Sequence, residues 1–236
     1  MLIRRELGAA SIGFTDRWGG ESVVPFDTLN VARHIDDDPL AVAANQRLVA
    51  DMLGRPEAPW VMPRHVHGTT VLAVSDSTRD GEEADGVATQ RSGLLLAAVG
   101  ADCAPIAIAN DTACAAIHAG WRGTVHGVIA AGVAMVRALG TGPVRAVVGP
   151  CVCAHHYEFG ADLLDQLVEE HGPELGGHTV TGAPAFDLRG AIRAQFRRVD
   201  VEHVEVIDIC TVESTDHFSY RRDGLTGRQA VVVVKR

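Results

Sequence analysis

The stretch Gly93–Gly123, GLLLAAVGADCAPIAIANDTACAAIHAGWRG, decides the fold. Three short apolar runs, Gly93–Val99, Pro105–Ala109 and Ala113–His118, stand between turn residues and read as buried strands. Only the turn Gly100-Ala101-Asp102-Cys103 parts the first two, far less than the roughly dozen residues a helical crossover needs. Such spacing argues for an α+β chain with mixed sheets rather than a doubly wound parallel sheet.

Outward from this stretch the chain alternates strands and helices. Ala119–Gly123 closes the third strand, and Thr124 is placed to cap a helix running to Leu139. Val125, Val128, Gly132, Val136 and Leu139 fall on one stripe of that helix. Upstream, Pro39–Leu53 reads as a helix capped by Asp38, with Pro39 at the first position, where a missing N–H costs nothing. Thr70–Ser75 reads as a strand. Downstream, Val144–Val148, Val204–Ile209 and Ala230–Val234 read as strands, and Ala161–His171 and Asp187–Val199 as helices. No internal repeat or long polar linker divides the 236 residues, a length that suits one large domain or two small ones.

Composition removes several function classes. A net charge of −9 argues against nucleic acid as a partner, because phosphate-backbone binding needs a basic patch. It leaves room for a small anion held by local arginines. The longest apolar runs fall short of the ~20 residues of a membrane span, so no membrane role is expected. Met1–Phe14 carries arginines and a glutamate but no apolar core of a signal peptide, which points to the cytoplasm. Five cysteines in no regular spacing read as reduced thiols rather than a disulfide framework.

Three segments carry metal-ligand residue types: Arg64-His65-Val66-His67-Gly68, Ala101-Asp102-Cys103-Ala104-Pro105 and His118-Ala119-Gly120-Trp121-Arg122-Gly123. In an extended chain His65 and His67 share a face. All three segments lie at strand ends beside glycine turns, where sites tend to be built. Together they can supply His, Cys and His to one zinc with a fourth position open, the pattern of catalytic zinc. Cys103 and His118 also have the makings of a metal-free thiolate–imidazole pair. Asp102 is both a candidate acid/base and a candidate turn carboxylate. Cys114 reads as core. Cys151, Cys153, His155 and His156 crowd together but match none of the usual zinc spacings.

These segments recur in the order found in a known family. With Leu29-Asn30, Asn45-Gln46-Arg47, Ala84-Asp85-Gly86-Val87, Gly149-Pro150-Cys151, Tyr157-Glu158, Phe186-Asp187-Leu188, Cys210-Thr211, Phe218–Asp223 and Gly227-Arg228, the chain resembles the YfiH/laccase-domain family over nearly its whole length. The resemblance implies a single mixed α/β domain over residues 1–236, cytosolic, with zinc on His67, Cys103 and His118, the residues to which it also gives catalysis. It further implies purine nucleoside phosphorylase activity on adenosine, inosine and methylthioadenosine, with adenosine deamination beside it. Polyphenol oxidase and peptidoglycan editing factor are two other labels carried by such proteins. Two positions depart from the pattern. His65 stands where glutamine is common, and no second cysteine follows Cys210-Thr211, which argues against a metal role for Cys210.

Chemical requirements sort these labels. A multicopper oxidase needs many paired histidines, whereas one His-x-His and no His-Cys-His occur here. A soft His/Cys/His site can still take copper, which outranks zinc in affinity. The usual zinc-deaminase pattern, His-x-Glu with Pro-Cys-x-x-Cys, is missing. Phosphorolysis needs phosphate beside C1′, and Arg64, Arg122, Arg221 and Arg222 are the candidate clamps, with Asn30 as a further substrate contact. The expected partners are therefore a nucleoside and phosphate, and the expected assembly is a monomer or small homo-oligomer.

Overall fold

The computed structural model describes residues 2–201 and 203–236. The strands in chain order are β1 (Leu2–Leu7), β2 (Ala10–Thr15), β3 (Trp60–Val61), β4 (Val71–Ala73), β5 (Gly86–Thr89), β6 (Leu95–Gly100), β7 (Ala104–Ala109) and β8 (Cys114–Ala119). They continue with β9 (Arg145–Val148), β10 (Gly176–His178), β11 (Pro184–Phe186), β12 (Val204–Val206) and β13 (Gln229–Lys235). The helices are α1 (Pro39–Met52), α2 (Trp121–His126), α3 (Val128–Leu139), α4 (Ala161–His171), α5 (Leu188–Arg198) and α6 (Tyr220–Asp223).

Two mixed sheets stack face to face. One has the order β1-β2-β13-β6-β3 and the other β12-β9-β7-β8-β5-β4. Period-two alternation explains why both faces of the central strands are apolar. In β13, Val231 and Val233 point between the sheets while Ala230, Val232 and Val234 point toward α1. In β7, Ala107 and Ala109 point between the sheets, and Ala104, Ile106 and Ile108 point toward the helices on the far side. Val49 and Ala50 of α1 cover the first sheet, and Ile129, Val133 and Val136 of α3 with Ala191, Ile192 and Phe196 of α5 cover the second. The result is four layers, helix on sheet on sheet on helix.

The expected α+β architecture with mixed sheets holds, and most elements move by one or two residues at their ends. The helix expected from Thr124 to Leu139 is two helices. Gly127, at φ 100°, takes a left-handed conformation that ends α2 and starts α3 in a new direction. The N-cap is Gly120 rather than Thr124, whose buried hydroxyl has no hydrogen-bond partner among the described residues. The expected strand Val204–Ile209 leaves the sheet after Val206, and the chain begins with a further hairpin, β1–β2, turned by Gly8 at φ 52°.

Candidate functional site

The turn Gly100–Cys103 crosses from β6 in one sheet to β7 in the other, so Cys103 sits at the open edge between the sheets. His118, near the end of β8, is held opposite Pro105 by the β7–β8 register. His118 is tied to Asp85, which is fully buried just ahead of β5. Asp85 Oδ1 accepts from His118 Nδ1 at 2.9 Å and from His67 N at 2.9 Å, and Oδ2 accepts from Gly68 N at 2.6 Å. Burial pushes the Asp85 carboxyl up, but the His118 ring and the Gly68 N–H hold it below its ordinary value. The segment carrying His65 and His67 is not an extended strand. It turns around the carboxylate, with His67 at φ 58°. Both rings still face one cavity.

The two histidines differ in what is left of their nitrogens. His65 Nε2 accepts from Val99 N at 3.1 Å, so Nδ1 carries the proton and donates to Ala84 O at 3.2 Å. Neither nitrogen keeps a free lone pair. Burial and the neighbouring His118 hold this ring neutral, well below the ordinary histidine value. His118, with Nδ1 engaged by Asp85, turns Nε2 toward the Cys103 sulfur. Ligand atoms of His67, Cys103 and His118 lie within 4.8 Å of one another. A Cβ on Gly120 would stand 2.7 Å from His67 Nδ1 and 3.0 Å from Cys103 Sγ, so any other residue there would fill the space these atoms share.

Charge inside this group is separated. Burial raises the Cys103 thiol, yet the charge of His118 and hydrogen bonds from His118 and His67 outweigh it and bring the thiol down to about 6. Burial lowers His118, but Cys103 and Asp85 lift it to about 9. One thiolate, two imidazoles and a carboxylate behind one of them match the donor set and second shell of a metal site with one position open. The residues present therefore fit a metal ion.

The group borders a cavity of about 680 Å³, within the size range of small-molecule sites. Tyr157, Tyr220, Arg221, Arg228 and His34 wall it. Of the arginines singled out in the sequence, Arg221 is brought here, its guanidinium 4.9 Å from the Tyr157 ring centroid. Three others are not. Arg64 pairs with Glu83 on the surface, and Arg122 lies over Trp121 at 4.5 Å. Arg222 is spent on Asp223 and on the carbonyls of Thr211, Ser214 and His217. Asn30 is fully buried outside the cavity, where its Oδ1 accepts from Arg228 N at 3.0 Å and so fixes the residue that does line it. Asp102 acts as a turn carboxylate, accepting from Thr211 Oγ1 and Arg221 N at 2.7 Å each. Asp85, Tyr157 and Arg228 lay inside recognised blocks without an assigned task. Tyr220 likewise lies inside the Phe218–Asp223 block, and His34 carries no sequence signal of its own.

Similarity to known proteins agrees with this geometry. The profile of the multi-copper polyphenol oxidoreductase laccase family matches residues 11–236. A purine nucleoside phosphorylase of Streptomyces coelicolor is 40% identical over 233 residues, covering 96% of each chain. Another of that name from Mycobacterium tuberculosis is 39% identical over 224 residues, covering 93% of this chain and 89% of its own. The crystal structure of YlmD from Geobacillus stearothermophilus superposes with a TM-score of 0.88 at 32% identity, covering 98% of this chain and 93% of that one. With the fold shared and the family's profile matched almost end to end, the chain belongs to the YfiH-like multi-copper polyphenol oxidoreductase laccase family.

Proposed function

We propose that this chain is a cytoplasmic, single-domain purine nucleoside phosphorylase that converts adenosine, inosine or methylthioadenosine and phosphate to the base and the sugar 1-phosphate. The observation that carries the reading is the His67–Cys103–His118 group beside a cavity with two arginines and two tyrosines. His67, Cys103 and His118 would hold zinc, which supplies Lewis acidity toward an oxygen of substrate or water. Copper fits the same donors less selectively.

The chain's own groups cover the remaining needs. Arg221 and Arg228 present guanidinium groups that clamp phosphate oxygens against the sugar. A phosphate oxygen bonds to C1′ as the C1′–N9 bond breaks, and the electron pair leaves with the purine, which then needs a proton. Tyr157 is kept protonated above its ordinary value by burial and by the negative Cys103 beside it, which makes its Oη a donor for the departing base. The Tyr157 and Tyr220 rings offer faces on which the base stacks. Adenosine deamination, a hydrolytic side activity, would use the same cavity.

Zinc-loaded protein incubated with inosine and phosphate should release hypoxanthine and ribose 1-phosphate. No phosphate-dependent release from protein carrying a full equivalent of zinc would sink the proposal. A second reading is favoured by the Cys103–His118–Asp85 alignment, which suits a metal-free cysteine hydrolase acting on peptidoglycan precursors. Chelation separates the two, since it abolishes the first activity and spares the second.

A further inference from the structure

Two cysteines outside this site meet a histidine and a glutamate on neighbouring segments. An isolated parallel bridge joins Cys151 to Cys210, with Cys151 N donating to Ile209 O and Thr211 N to Cys151 O, both at 3.3 Å. The bridge sets Cys153 beside Cys210, whose Sγ accepts from Cys153 N at 3.3 Å. Each arm then supplies a second donor three residues on. His156 follows Cys153 on the one-turn helix Ala154–His156, and Glu213 follows Cys210. Three of these donors, Cys153, Cys210 and Glu213, converge, and His156 reaches the group through Glu213 alone. Cys153 Sγ lies 3.9 Å and His156 Nε2 2.9 Å from Glu213 Oε1, and ligand atoms of Cys153, Cys210 and Glu213 lie within 4.8 Å of one another.

We propose that Cys153, His156, Cys210 and Glu213 form a second metal site, built for a zinc-class divalent ion. Bonds of roughly 2.3 Å to sulfur and 2.0–2.2 Å to oxygen or nitrogen place tetrahedral ligand atoms about 3.3–3.8 Å apart. The separations of 3.9 and 2.9 Å lie to either side of that range, so small shifts bring Cys153, Cys210 and Glu213 onto one ion, and a turn of the His156 ring from its Glu213 contact supplies the fourth donor. Four protein donors leave no open position, which is the mark of a structural ion and sets this site apart from the three-donor group at Cys103. Backbone pairing presets the arms before any ion arrives, and half-exposed His156 with exposed Glu213 leaves an entry from solvent. Binding would displace the two thiol protons to water.

Both arms also reach the first site. Val152 N donates to Asp102 O at 3.0 Å and Thr211 Oγ1 to Asp102 Oδ1 at 2.7 Å, so residues adjacent to Cys153 and Cys210 hold the neighbour of Cys103. An ion here would fix that turn from behind.

The test is cobalt(II) added to freshly reduced, chelator-treated full-length protein. The Cys103→Ser variant should bind one equivalent with intense thiolate-to-cobalt absorption, and adding Cys210→Ser should remove most of it. In the wild-type background, which guards against misfolding of that variant, Glu213→Gln should weaken the second equivalent by at least about tenfold. The proposal is overturned if Cys103→Ser shows no thiolate absorption, or if Glu213→Gln leaves the second affinity unmoved. A Cys153–Cys210 disulfide persisting in purified wild-type protein would overturn it too, making the cluster a redox pair.

Discussion

Cys103 and Cys153 are both partly exposed thiols, and their surroundings drive them in opposite directions. Burial raises both. Around Cys103 two imidazoles outweigh burial and bring the thiol to about 6. Around Cys153 the sulfur of Cys210 and the carboxylate of Glu213 add to burial and push it to about 12. Cys114, buried in the core with only Lys235 to oppose burial, also reaches about 12. Depth in the protein therefore does not make a reactive cysteine. The sign of the neighbouring charge does, and here it divides a thiolate ready for use from thiols held protonated.

The largest break in this comparison is Cys103→Ala. It removes the sulfur donor and the counter-charge of His118 together, so phosphorolysis should fall by more than the ~10–100-fold that loss of an outer-shell partner costs. Steady-state kcat/KM for inosine, with metal content measured on the same sample, checks it. A loss below tenfold would return Cys103 to the status of a cavity-lining thiol.

Thiol reactivity sharpens the comparison directly. In chelator-treated protein at pH 7.5, iodoacetamide should label Cys103 about a hundredfold faster than Cys153, since thiolate fraction outweighs the lower nucleophilicity of the more acidic thiol. A lowered pKa means the reactive form is present above about 6, so the Cys103 rate should fall as pH drops through that value. Mass-spectrometric mapping over about pH 5–9, roughly two units either side of neutrality, reads both effects. Equal rates at the two cysteines would contradict the charge argument.

Asp85→Asn should come next, lowering activity and metal affinity by roughly 10–100-fold. The substitution keeps the shape but replaces the acceptor of the His118 Nδ1–H and of two backbone N–H groups by an amide. Metal titration of the variant is the readout, and an affinity within twofold of the parent would mean the histidines are oriented by other contacts.

Legibility followed the range over which a signal is carried. β7, β8 and β13 were readable because their apolar runs satisfy both faces of a central strand locally. The break at Gly127 was not, because a single left-handed φ is a choice that packing makes. His67, Cys103 and His118 stood out through blocks carried by adjacent residues. Arg228 did not, since its place beside Cys103 follows from β13 pairing with β6 and from the Asn30 contact, both long-range. Cys210 has no cysteine close in sequence, whereas the thiol beside it, Cys153, lies 57 residues upstream.

The smallest expected effect tests which histidine of the pair His65 and His67 carries a lone pair into the site. His65 lies stacked on His118 at 4.5 Å between ring centroids, close enough to pass for a ligand by distance alone. Its two hydrogen bonds argue otherwise, because a ring that donates from Nδ1 and accepts at Nε2 has nothing left to give. A glutamine side chain can both donate to Ala84 O and accept from Val99 N, so His65→Gln should keep one equivalent of metal at Cys103 with affinity within a few-fold of the parent, a change of under about 1 kcal/mol on the scale of a single neutral hydrogen bond. His67→Gln should lose that equivalent. If His65→Gln loses the metal and His67→Gln keeps it, the hydrogen-bond argument is wrong, and the ligand nitrogen belongs to the buried ring rather than to the one at the turn.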